Sequence, residues 1–201
     1  MNLALFDFDG TITTREMFPD FMKFAVSPVR LAIGSVLFAP LVAGYRAGLV
    51  SGSLIRAAVV AFGFRGVSET RLRQAGLKFS REVLPRVMRP EALDRILWHQ
   101  AQGDTVVVVS GALDVYLTHW CAAHGVDLIC SQLESRNGLL TGRYEGLQCV
   151  AGEKARRVRE HYDMSAYATV YAYGDTIEDR ELLDIAQKKY FRWREVACVP
   201  G

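Results

Sequence analysis

Hydrophobic and polar positions follow two different periods along this chain. At the start, Leu3-Ala4-Leu5-Phe6 is an unbroken apolar run that gives way to Asp7-Phe8-Asp9-Gly10-Thr11, which predicts a buried strand ending in a glycine turn. From about Arg15 to His99 the pattern is helical throughout. Glu16 to Val26 sets Met17, Phe18, Phe21, Met22 and Phe24 on one stripe, Pro28 restarts the chain, and Val29 to Tyr45 is almost wholly apolar. Further helices are expected over Leu54 to Phe64, over Ser68 to Val83 with Ser68 as N-cap, and from Pro90 to near Gln100. After Thr105 the rhythm becomes strands alternating with helices, with Thr105 to Ser110 and Val170 to Gly174 as apolar strands, which favours a parallel sheet. Gln132 to Tyr144 differs, since two strand-like runs flank Asn137-Gly138, a favoured hairpin turn. The expected architecture is an α/β core made of residues 1–14 and 100–201, with a helical insertion at 15–99.

Composition narrows the function classes. Half of the 201 residues are apolar, ample for a buried core. The net charge of +2 comes without a lysine-rich tail, so no nucleic-acid partner is expected. Cys121, Cys130, Cys149 and Cys198 lie far apart with no CxxC spacing, as in a reduced cytosolic protein with incidental thiols. The chain reaches Asp7 without a basic leader, so no signal peptide is expected and the protein is placed in the cytoplasm.

The candidate chemistry begins with Asp7 and Asp9. Side chains alternate along a strand, so i and i+2 share a face. Two carboxylates there repel unless a cation or a shared proton compensates them. A bland alternative is a strand that ends in an acidic turn. Three later pieces come in order: Ser110-Gly111 at the end of an apolar strand, Lys154 in Gly152-Glu153-Lys154 near the start of a charged amphipathic helix, and Gly174-Asp175 with Asp179 four residues on. Each has an ordinary reading of its own: an N-cap serine, a solvated lysine, and acids that suit a helix N-terminus.

Taken together, Asp7-Phe8-Asp9-Gly10-Thr11, Ser110-Gly111, Lys154 and Asp175 with Asp179 resemble the motifs of the haloacid dehalogenase superfamily, more closely its phosphoserine-phosphatase-like subgroup. The resemblance runs from Asp7 to Asp179 and implies a Rossmann-like parallel-sheet core with a helical cap inserted after the first motif. It also implies a phosphatase in which Asp7 is the nucleophile that forms an aspartyl-phosphate, and Asp9 protonates the leaving oxygen and then activates water. Thr11, Ser110, Gly111 and Lys154 would bind phosphate. The implied cofactor is Mg²⁺, held by Asp7, Asp175 and the Asp9 main-chain carbonyl, with Asp179 orienting Lys154 or a metal-bound water; hard oxygen ligands suit that ion.

Substrate is the thinnest part of the pattern. Glu16 stands nine residues after Asp7, where phosphoserine phosphatases carry a substrate-binding glutamate, and Arg56 lies near the place of their cap arginine. Glu178 occupies a position where they have asparagine, and an anion there discourages a nearby carboxylate or phosphate. Leu31 to Tyr45 is fifteen residues without a charge, bounded by Arg30 and Arg46, short of the roughly 18 to 20 that a spanning helix needs. It reads as a buried cap helix or as one lying in a membrane interface. Glu16-Met17-Phe18, the apolar cap and Tyr190-Phe191-Arg192-Trp193-Arg194 also look similar to bacterial phosphatidylglycerophosphate phosphatases of this superfamily. The expected substrate is therefore a phosphorylated small molecule or a phospholipid head group, with peripheral membrane contact through the cap. Phosphoserine phosphatase proper, a phosphotransferase, and a membrane-associated binding protein that keeps the fold without turnover are the alternatives. Arg65, Arg71, Arg73, Lys78, Arg81, Arg86 and Arg89 read as a solvated helix face. His99, His119, His124 and His161 share no ligand spacing.

Overall fold

A computed structural model describes residues 1–199. In chain order the elements are β1 (Leu3–Phe6), α1 (Phe18–Ala25), α2 (Pro28–Leu37), α3 (Ala39–Arg46), α4 (Gly52–Phe64), α5 (Glu69–Glu82), α6 (Pro90–Ala101), β2 (Thr105–Leu113), α7 (Asp114–His124), β3 (Asp127–Ser131), β4 (Leu133–Arg136), β5 (Leu139–Tyr144), α8 (Gly152–His161), β6 (Val170–Gly174), α9 (Arg180–Asp184), β7 (Lys188–Phe191) and β8 (Arg194–Val196). Short 3₁₀ turns at Leu84–Arg86, Met164–Ala166 and Ile177–Asp179 complete the set.

The central sheet has the order β3-β2-β1-β6-β7-β8, parallel throughout except for β8. β1 is its pivot, pairing with β2 on one side and β6 on the other, so that Phe6 lies between Val108 and Tyr173. Successive connections leave β1 in opposite directions, which opens a crevice at the carboxyl ends of β1, β2 and β6. The alternation of side chains builds two cores. Ala4, Phe6, Val106 and Val108 face the layer of α5, α6 and α7, whereas Leu3, Leu5, Val107 and Val109 face Val158 of α8 and Leu182 and Leu183 of α9.

The insertion starts and ends at one clasp. Thr13 bridges Met88, the Thr14 N–H donates to Val87 O, and the Arg89 N–H donates to Ile12 O. Ser68 caps α5 by accepting from the Arg71 N–H, as its place before Glu69 predicts. The long apolar run breaks at Phe38, because Pro40 lies in the first turn of α3 and has no N–H to continue α2; the two helices meet at 56°. Among the described residues no single helix is long and apolar enough to cross a membrane. α6 lies against β2, α5 against α7, and the β4-β5 hairpin against α4, where a Cβ at Gly142 would sit 3.0 Å from Ala61 Cα.

Candidate active site

Asp7 extends β1 by one residue, its N–H donating to Tyr173 O at 2.9 Å. Alternation turns its side chain toward the layer of α8 and α9, and there Lys154 Nζ lies 2.6 Å from Asp7 Oδ1 and 2.6 Å from Asp179 Oδ1. All three side chains are buried. Asp175 comes directly after β6, and its Oδ1 accepts from the Thr11 hydroxyl at 3.2 Å. Glycine makes this convergence possible. Gly10 has φ +81°, and a Cβ there would collide with the Asp175 carboxylate; a Cβ at Gly174 would lie 2.6 Å from Asp179 Cβ.

Asp179 has its oxygens engaged. One holds Lys154, and the other accepts from the Asp175 N–H, the Thr176 N–H and the Thr176 hydroxyl. It therefore positions the lysine and closes the turn after β6. Lys154 is aimed from the other side by the start of α8, where Ala151 takes the uncommon pair φ 48°, ψ −132°, a conformation that costs about 1–3 kcal/mol and that the fold imposes.

Charge in this cluster does not cancel. Asp7, Asp175 and Asp179 offer oxygens within 4.8 Å of one another, so three carboxylates face one ammonium and two negative charges are left over. Burial and the neighbouring Asp179 push the Asp7 carboxyl well above the usual carboxylate range, against the pull of Lys154. Burial also raises Asp175, with Asp179 adding to it. Lys154 moves the other way: burial disfavours its charge, but Asp7 and Asp179 outweigh that and hold it protonated. Asp179 is lowered, since Lys154 and its hydrogen bonds overcome burial. Such a set fits a divalent cation with oxygen ligands, the group that would let Asp7 and Asp175 ionise together.

Asp9 stands apart from this ion pair. Its Oδ1 accepts from the Met17 N–H at 3.1 Å, at the start of α1. Burial, opposed by that hydrogen bond and reinforced by Glu16, pushes its carboxyl up to about 7. Ser110 is buried with its hydroxyl accepting from the Ala112 N–H at 3.1 Å. It is not an N-cap: β2 runs on to Leu113 through a register shift, and Leu113 occupies that position for α7. Gly111 lies under Val150, whose Cγ1 would be 2.7 Å from a Cβ.

Asp7, Asp9, Ser110, Gly111, Lys154, Asp175 and Asp179 line one cavity of about 670 Å³. Thr11 is buried and donates its hydroxyl to Asp175. Glu16, Arg56 and Glu178 line the cavity farther out. Arg56 Nη2 lies 3.5 Å from Glu178 Oε2 and its Nε donates to Gln148 Oε1, so the anion expected to repel substrate already has a counter-charge.

Several contributors lie outside the acidic, serine and lysine motifs. Met22, Leu31, Val42, Tyr45, Ile55 and Val59 form an apolar wall above the carboxylates. Arg89, expected on a solvated face, turns inward and donates to Gly10 O and Thr13 O, which stiffens the loop after Asp9. Arg192 donates to Asp175 O from the β7-β8 turn. Only its closeness to Pro90, a helix start that must face the sheet, hints at the role of Arg89.

A family model described as haloacid dehalogenase-like hydrolase matches residues 4–184. Protein CicA of Caulobacter vibrioides is 32% identical over 192 residues, which are 94% of this chain and 85% of that protein. A protein with unknown function from Bordetella pertussis Tohama I superposes with a TM-score of 0.82 at 24% identity, covering 94% of this chain and 89% of that one. A phospho-aspartyl intermediate analogue of phosphoserine phosphatase superposes with a TM-score of 0.66 at 20% identity, over 94% and 85% of the two chains. These two structural likenesses show a shared fold.

Proposed function

This chain belongs to the haloacid dehalogenase-like hydrolase family, and on that premise we propose that it is a magnesium-dependent phosphomonoesterase working through an aspartyl-phosphate at Asp7. The observation that carries the proposal is the buried Asp7–Lys154–Asp179 chain beside Asp175, short of positive charge at the point where a phosphate would sit. Asp7 and Asp175, with the Asp9 main-chain carbonyl, would hold Mg²⁺, and the bound ion supplies the positive charge that lets a carboxylate approach a phosphoryl group.

Asp7 attacks phosphorus with a carboxylate oxygen, and the bond to the leaving oxygen breaks. Asp9, with its carboxyl raised to about 7, delivers a proton to that oxygen as the product alcohol departs. In the second half, water attacks phosphorus, Asp9 takes the water proton, and the Asp7 carboxylate is regenerated with release of phosphate. Lys154 offsets charge on the transferring phosphoryl group, and Asp179 keeps its ammonium at 2.6 Å. Ser110 and Gly111, which line the same cavity, would bind the phosphoryl oxygens. The phospho-aspartyl analogue seen in a phosphoserine phosphatase of the same fold supports this assignment.

The leaving group lies toward the insertion. Arg56 is paired with Glu178 there, which favours a neutral or apolar group over a free carboxylate, and the wall of Leu31, Val42 and Ile55 is apolar. Asp7→Asn tests the proposal directly: phosphate release from an aryl phosphate vanishes while the fold remains intact, and substantial remaining turnover would sink it.

A further inference from the structure

We propose that the cleft between α5 and α7, on the opposite side of the sheet from Lys154, binds a small aromatic carboxylate, and that its occupancy is felt by the loop carrying Asp9. The two helices pack closely at Gly76, where a Cβ would lie 1.8 Å from Val115 O. Past that point they leave a cavity of about 540 Å³, lined by Ser80 of α5, Trp120 of α7, Pro85, Met88 and Leu93. That volume suits a small organic ligand. Exposed Ala122 and Ala123 lie at its mouth, and it shares no lining residue with the cavity over Asp7.

The lining names the ligand. Ser80 and Trp120 are only 7% and 2% exposed, yet among the described residues neither the Ser80 hydroxyl nor the Trp120 indole N–H has a hydrogen-bond partner. Buried polar groups are ordinarily paired, so two open ones in one cavity call for an acceptor. Trp120 stacks on His124 with ring centroids 4.0 Å apart, and with Met88 and Leu93 it offers apolar contact to a planar ring. The lining contains no Asp or Glu, while Arg81, exposed and without an ion pair among the described residues, supplies one formal positive charge. A single guanidinium beside neutral donors matches a planar carboxylate better than a phosphate dianion.

The walls of this cavity are also the back of the catalytic loop. Trp120 packs edge-on against Phe8, ring centroids 5.3 Å apart, and Phe8 separates Asp7 from Asp9. Met88 bridges Thr13, and Phe8 O accepts from the Ile12 and Thr13 N–H groups. A ligand that shifts Trp120 or Met88 therefore moves the segment that aims Asp9, to the extent that it binds one arrangement better than another. This link, unlike the binding, rests on the phosphatase assignment above.

The test is calorimetric titration of the full chain with naphthoate, and with naphthylmethanol as its uncharged match. Naphthoate is expected to bind with a Kd below about 1 mM and at least about tenfold more tightly than the alcohol. Ala123→Trp, which fills the mouth from an exposed helix position, should abolish binding while Tm and turnover of a soluble aryl phosphate stay at parent values. Arg81→Ala, also at an exposed position, should remove the preference for naphthoate over the alcohol, and it reads the same site should Ala123→Trp lower Tm. Excess inorganic phosphate with Mg²⁺ should leave naphthoate bound. In the parent, naphthoate should change kcat for the aryl phosphate by at least about twofold, and added substrate should not overcome the change. No saturable binding below about 1 mM, binding indifferent to both substitutions, or displacement by phosphate overturns the proposal, as does binding that leaves the kcat of an active enzyme unchanged. If the parent binds naphthoate as expected but releases no phosphate from any monoester, the phosphatase assignment fails and the binding site stands.

Discussion

Two buried polar clusters flank the same sheet, one on each side, and they differ in whether their charge closes. On the α6 side, His99 Nδ1 lies 2.8 Å from Asp104 Oδ2, His99 Nε2 lies 2.9 Å from the Tyr173 hydroxyl, and Asp104 Oδ1 accepts from the Asn2 N–H. Burial lowers His99 against the opposing pull of Asp104, and hydrogen bonds from His99 and Asn2 lower Asp104 in spite of burial. A neutral imidazole donating to one carboxylate and accepting from one phenol satisfies every member. On the α8-α9 side, Asp7, Asp175 and Asp179 share a single lysine, and two negative charges are left over. A closed cluster joins helix to sheet; an open one is built to receive something. Burial alone does not separate structural polar groups from reactive ones, and the charge sum does.

Substitutions should pull the two clusters apart. Asp7→Asn is expected to cost on the order of 10³-fold or more in kcat without lowering Tm, because it removes a buried charge that lacks a full partner. Chelation should likewise abolish turnover, with Mg²⁺ restoring it, and Mg²⁺ should raise the Tm of the parent but not that of an Asp7→Asn, Asp175→Asn double variant. Lys154→Met should lower kcat by about 10²-fold and, unlike Asp7→Asn, also destabilise the fold, by about 3–5 kcal/mol in denaturant titration, since it leaves Asp7 and Asp179 facing each other. His99→Ala inverts the pattern: about 2–4 kcal/mol of stability is lost through a cavity and two unpaired polar groups, while kcat stays within a few-fold of the parent.

The smallest effects are in pH, where Asp9, next to the open cluster, and His99, in the closed one, carry opposite signs. Asp9 is raised to about 7, so in metal-free protein its contribution to stability is present below the ordinary carboxylate value and is lost as pH rises through about 7. His99 is lowered, so its contribution is present above the ordinary imidazole value of about 6.5 and is lost as pH falls below it. Melting curves across pH 5 to 8 should show Asp9→Asn removing the first slope and His99→Gln the second. Turnover of an alkyl phosphate, which needs a proton from Asp9, should decline above about pH 7 more steeply than turnover of an aryl phosphate with a better leaving group.

The chain alone carries most of the fold, for a local reason. β1, β2 and β6 are short apolar runs buried on both faces, and the helices of the insertion carry stripes and caps, all of which are legible within a few residues. Asp7, Asp9, Ser110, Lys154 and Asp175 stand out as an ordered set that resembles the family's motifs, not one by one. Asn137-Gly138 likewise announces its hairpin, seen as β4 and β5.

What the order of residues does not hold is proximity across the fold. Thr11 gives its hydroxyl to Asp175, 164 positions away. Arg89 has the setting of a solvated residue and instead holds Gly10 O; Glu178 has the charge of an obstacle and is matched by Arg56. The outward face of α2 has the composition of any buried helix, and only packing decided that Leu31 went inside while Val36 stayed out. Local periodicity is determined by neighbours in the chain. Which polar groups meet, and which apolar ones are left uncovered, is determined by long-range packing, where β1, β2 and β6 and the start of α8 gather residues 7, 110, 175 and 154 into one cavity.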